Sequence, residues 1–66
     1  MRIIVTQLIG DASVNIYNHS GELLHTEGFF GKLEGGSFIR DIPVSALEYH
    51  HSKALFDKEF EYKVIV

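Results

Sequence analysis

Sixty-six residues with no cysteine, and nine acidic against six basic side chains for a net charge of −3, make a single domain spanning 1–66 and exclude disulfide staples and thiolate metal sites. The acidic balance argues against nucleic acid, whose phosphates need a basic surface, and it is too mild for a polyanion mimic. A domain this small buries only about 60% of the surface its unfolded chain exposes, so it must rely on a well-packed core, for which five Phe and three Tyr are available, or on a partner subunit.

No apolar run approaches the roughly 20 residues of a membrane span. The N-terminal Met1-Arg2-Ile3-Ile4-Val5 lacks the long apolar region and small-residue cleavage site of a signal peptide. The expectation is a complete cytoplasmic chain with no membrane association.

Residues 2–9 are rich in β-branched types and predict a strand. Ile3 and Val5 share one face, and Ile4, Thr6 and Leu8 the other. Apolar groups on both faces suit a central strand or an interface. Gly10-Asp11 supplies a turn. Ser13 to Asn18 predicts a second strand, with Val14 and Ile16 facing one way and Asn15 and Tyr17 the other. Asn18-His19-Ser20-Gly21 is the strongest turn signal, because Asn favours the first turn position and Gly accepts the left-handed conformation that closes it. It predicts a β-hairpin to a third strand, Glu22 to Glu27.

The segment from Gly28 to Gly36 holds four of the six glycines, which allow tight bends and close backbone approach. Ser37 to Ile42 resumes strand character, and Pro43 ends it. Residues 44–57 carry the expected helix: Asp41 and Pro43 suit its start, and Val44, Leu47, His51, Ala54, Leu55 and Lys58 follow helical spacing. Lys53 and Asp57 form an i, i+4 pair. Tyr49-His50-His51-Ser52 is a poor helix former, so a break can fall there. Phe60, Tyr62, Val64 and Val66 then alternate with Glu61, Lys63 and Ile65, the two-residue period of a half-buried strand used in the core or in a partner's sheet.

Motifs for chemistry fail when tested. Gly31-Lys32 looks like the end of a phosphate loop, but Thr26 stands where the first glycine belongs and Leu33 where Ser or Thr should follow. Gly28-Phe29-Phe30-Gly31 echoes an RNA-recognition strand, yet Glu27 replaces its basic residue. No serine sits in a nucleophile elbow. Of the four histidines, His25 and Glu27 share one side of a strand, and Glu48 and His51 share a helical face. A site built from Glu48, His51 and His25 can be imagined, but metal centres need three or four convergent ligands and only pairs are tied by local geometry. The expectation is therefore no enzyme activity, no cofactor and no metal.

The expected fold is α+β: a four- to five-stranded, mainly antiparallel sheet with one short helix over about 44–57. The alternative is an all-β barrel or sandwich. The expected function is a non-catalytic protein-binding module, a small regulator or inhibitor of the kind that bacterial viruses and mobile elements encode in number. Consecutive strand residues face opposite ways, so of Phe29 and Phe30 one can fill the core while the other is exposed as an anchor. Phe29 and Phe30 are the expected anchors of the contact set, with Tyr17, Glu27 and Glu34 as its rim. Ile4 and Ile65 form an exposed stripe if the first and last strands are neighbours. A second reading is a homo-oligomer that cradles a small anion such as a nucleotide with Lys32, Arg40 and the backbone of Gly31 and Gly35. Weak nucleic-acid binding is a third.

Overall fold

The computed structural model describes residues 1–31, 34–55 and 60–66. Its strands are β1 Arg2–Leu8, β2 Asp11–Tyr17, β3 Leu23–Phe30, β4 Gly36–Asp41, β5 His51–Leu55 and β6 Glu61–Ile65. They form two antiparallel sheets of three, ordered β4-β1-β6 and β3-β2-β5. The central strands β1 and β2 face each other across the core. Their inward side chains, Ile3, Val5 and Leu8 against Ala12, Val14 and Ile16, are at most 3% exposed. On one flank β3 faces β4, with the rings of Phe29 and Phe38 5.9 Å apart. On the other β5 faces β6, where the Ser52 and Tyr62 hydroxyls meet at 3.1 Å. Ile42 and Val44 close one end of the core, held by the Met1 amino group, which donates to both of their carbonyls at 3.2 and 3.0 Å. Among the described residues no helix is long and apolar enough to cross a membrane.

The fold is all-β, which corrects the α+β expectation and matches its sandwich alternative. Over residues 44–55, the described part of the expected helix at 44–57, no helix forms. Only one turn of it appears: the Glu48 and Tyr49 amides both donate to the Ser45 carbonyl, and Glu48 Oε2 accepts from the Ser45 amide and hydroxyl. The Glu48 carboxylate on the Ser45 amide is one half of a capping box, with no helix behind it. The next residues, Tyr49-His50-His51-Ser52, are poor helix formers, and β2 has an open flank. His51–Leu55 fills it as β5, with Ser52 opposite Ile16 and Ala54 opposite Val14. Ladder bonds and burial of Ala54 outweigh a weak helical preference. Asp57, the expected partner of Lys53, lies outside the described residues.

The two apolar faces of the first strand are reconciled by a bulge. Between Val5 and Leu8 the register against β4 slips by one residue, and Gln7 adopts a left-handed backbone with φ of 53°. The extra residue reverses the alternation, so Leu8 turns inward although it lies three positions from Val5. The hairpin forms as expected, with the Asn18 side chain accepting from the amides of Ser20 and Glu22. A second bulge lies in β3, where Ile16 pairs with His25 but Tyr17 pairs with Leu23.

Candidate functional site

The two adjacent phenylalanines are separated by the sheet. Phe29 lies opposite Ala12 and is 1% exposed; Phe30 lies opposite Asp11 and is 76% exposed. Phe29 is therefore a core residue, packed on Phe38, and is corrected from the expected contact set. Phe30 stands on the outer face of the β3-β2-β5 sheet. Next to it along that face is Gly28, beside Ser13, where an added Cβ would meet nothing within 4 Å. The result is an aromatic ring beside a shallow notch on an edge strand.

Beyond the notch the face is polar and tightly bonded. The Thr26 hydroxyl donates to Asn15 Oδ1 at 2.8 Å, and the Asn15 amide donates to the Tyr17 hydroxyl at 3.0 Å. Asn15 is nearly buried on this face, and both of its polar ends are satisfied, as a desolvated amide requires. Tyr17 stacks on His51 with ring centroids 4.7 Å apart. His50 meets His51 edge-on at 5.1 Å and His19 at 4.6 Å, and the His50 amide donates to the Tyr17 carbonyl. Tyr17 is thus half-buried and fixed in orientation, with one ring face against His51.

Glu27 and Glu34 do not form one rim. Glu27 lies opposite the fully buried Val14, so it points toward the inter-sheet space at the β3 flank. There its carboxylate meets His25 Nε2 at 2.7 Å, with each side chain about a quarter exposed. Glu34 is exposed beyond the end of β3.

The residues expected to cradle an anion are differently disposed. Arg40 lies opposite Ile3, on the inward phase of β4, and its guanidinium sits 5.2 and 6.0 Å from the rings of Phe38 and Phe29. This is a cation–π arrangement capping the core flank. The Gly31 amide donates to the Gly10 carbonyl at 2.9 Å, so it is not available to a phosphate. Gly35 has φ of 89° and abuts Gln7 at the bulge. Lys32 lies outside the described residues.

His25, Glu48 and His51 do not converge: the first pairs with Glu27, the second with Ser45, the third with Tyr17. Among the described residues no three His, Asp or Glu side chains gather as a metal site. Alternation puts His25 and Glu27 on one side of β3, but their inward phase depends on the bulge at Leu24. The histidine–tyrosine row depends on β5 pairing with β2, which the helical spacing of residues 44–55 hides.

Comparison with known proteins returns no matching family model, no matching curated protein and no matching solved structure.

Proposed function

We propose that this chain is a non-catalytic protein-binding module, a small cytoplasmic regulator or inhibitor that occupies a partner's surface with the outer face of the β3-β2-β5 sheet. The observation that carries the reading is Phe30. A domain this short needs its aromatic rings for the core, yet this one is 76% exposed next to a phenylalanine that is 1% exposed. Its strand is an edge, so ring and backbone are presented together. Large aromatic side chains on a rigid element are the usual energetic centre of a protein contact. Tyr17, already held by Asn15 and His51, adds a second ring at little further entropic cost.

The test compares wild type with Phe30→Ala as immobilised baits in extract of the source cells, followed by binding of each retained protein in purified form. The expected result is a protein that binds wild type directly and binds the variant at least tenfold more weakly, with unchanged far-UV circular dichroism. Equal binding to both baits removes Phe30 from the contact and overturns the reading.

A further inference from the structure

Among the described residues, the four outer strands are not protected alike. An edge strand presents unpaired backbone groups, and inward-pointing charged side chains are a common guard against another strand adding there. On the β3/β4 flank the guard is present. His25 and Glu27 on β3 lie opposite core residues Ile16 and Val14, and Arg40 on β4 lies opposite core residue Ile3. On the β5/β6 flank the inward positions are Ser52 and Ala54 on β5, and Tyr62 and Val64 on β6, with no charge among them.

Between these two unguarded edges, charge discriminates. A two-fold axis normal to the sheet keeps inward residues on the inward face, so a strand pairing with its own copy must match residues of the same phase. For β6 the register centred on Tyr62 places Tyr62 opposite its copy, Phe60 opposite Val64, and Glu61 opposite Lys63, twice. Shifting the centre to Lys63 or Glu61 sets like charges opposite one another, which is unfavourable. For β5 the register centred on Ser52 sets His51 opposite Lys53, and that centred on Lys53 sets two ammonium groups together. Among the described residues, only β6 offers a self-complementary register with paired opposite charges. Both of its charged residues are exposed.

We infer that the free edge of β6 is a homodimerisation surface, on which a second copy of this chain adds its own β6 antiparallel in the Tyr62-centred register. The product is a continuous six-stranded sheet, β4-β1-β6 followed by β6-β1-β4 of the copy. The junction also covers part of a surface depression of about 460 Å³ lined by Ile4, Thr6, Phe60, Glu61, Tyr62 and Lys63. One strand-to-strand junction is smaller than the roughly 800 Å² per partner of a standard interface, so the dimer is concentration-dependent. This surface lies on a different sheet from Phe30, and the two claims stand separately.

The test is sedimentation equilibrium from micromolar to millimolar protein on wild type, Glu61→Lys, Lys63→Glu and the double exchange. On β1 the residues directly opposite Glu61 and Lys63 are Thr6 and Ile4, both uncharged, so the exchange breaks no directly opposed charge pair within the monomer. Wild type is expected to dimerise. Each single reversal should weaken the dimer by about tenfold or more, because it acts twice across the axis. The double exchange should restore it. Monomeric wild type throughout, single reversals that dimerise normally, or a double exchange that fails to recover would each overturn the proposal. Independently of charge, a mixture of Glu61→Cys and Lys63→Cys chains should oxidise to a mixed disulfide faster than either chain alone; equal rates would refute the register.

Discussion

The amide of Gly31 donates to the carbonyl oxygen of Gly10 at 2.9 Å, and a Cβ on Gly31 would lie 2.3 Å from that same oxygen and 2.5 Å from that of Leu8. Two backbones that close leave no room for any side chain. The contact fastens the end of β3 to the connection between β1 and β2, where the chain passes from one sheet to the other.

Gly31→Ala should therefore cost about 2–4 kcal/mol, since backbone on both sides must move. Gly28→Ala is the control. It lies in the same glycine-rich stretch, but its Cβ position is open, and replacing a strand glycine should stabilise by about 0.5–1 kcal/mol. Urea unfolding of both variants checks the pair. Equal effects would remove the close approach as the cause.

Phe29→Ala and Phe30→Ala should separate folding from binding. Removing the buried ring is expected to cost about 3–5 kcal/mol, a large share of the total stability of so small a domain, which is roughly 0.05–0.15 kcal/mol per residue. Removing the exposed ring should change stability by no more than about 0.5 kcal/mol. Thermal melts followed by circular dichroism give both numbers.

Gln7 holds a left-handed backbone without being glycine, a conformation that costs roughly 1–2 kcal/mol for most residues. Gln7→Gly relieves that strain but loosens the unfolded chain, leaving a net stabilisation of about 0.5–1 kcal/mol. Gln7→Val, β-branched, should destabilise. If glycine is the worse of the two in urea titrations, the bulge is not strained.

Arg2 and Asp41 form an exposed pair at 2.9 Å across the β1–β4 ladder. The hydrogen bond from Arg2, and then its charge, hold the Asp41 carboxyl below its ordinary value of 3.8. A lowered folded-state value means the contribution is complete above the ordinary value and is lost as pH falls through the lowered one. NMR titration should find Asp41 titrating below its ordinary value of 3.8, and Arg2→Ala should return it toward that value. At neutral pH the pair is open to solvent and salt, so its removal should scarcely change stability.

The hairpin and the inward phases of β2 and β6 were legible because turn chemistry and strict alternation act over a few residues. Neighbouring β1 and β6, which place Ile4 and Ile65 on one outer face, followed once the topology was known. β5 was not legible. Its inward residues are Ser52 and Ala54, too small to mark a strand face, and the spacing of Leu47, His51, Ala54 and Leu55 resembles a helix. The site shows the limit sharply. Alternation required Phe29 and Phe30 to face opposite ways but not which way. Counting from the turn with Tyr17 opposite Leu23 puts Phe29 opposite Asp11 and outward. The bulge at Leu24 shifts the register by one and reverses the assignment. A single unpaired residue, with no glycine to announce it, decides which ring meets solvent.

The interleaved strand order governs when this protein can fold. β1 is flanked by β4 and β6, and β2 by β3 and β5, so the central strand synthesised first waits for the strand synthesised sixth. On the ribosome, only the β2–β3 hairpin joins neighbours in sequence. Every other pairing spans distant segments and must overcome loop-closure entropy before contacts reward it. A nascent chain halted before Glu61 leaves one side of β1 bare, so cooperative folding waits until β6 has emerged from the ribosome.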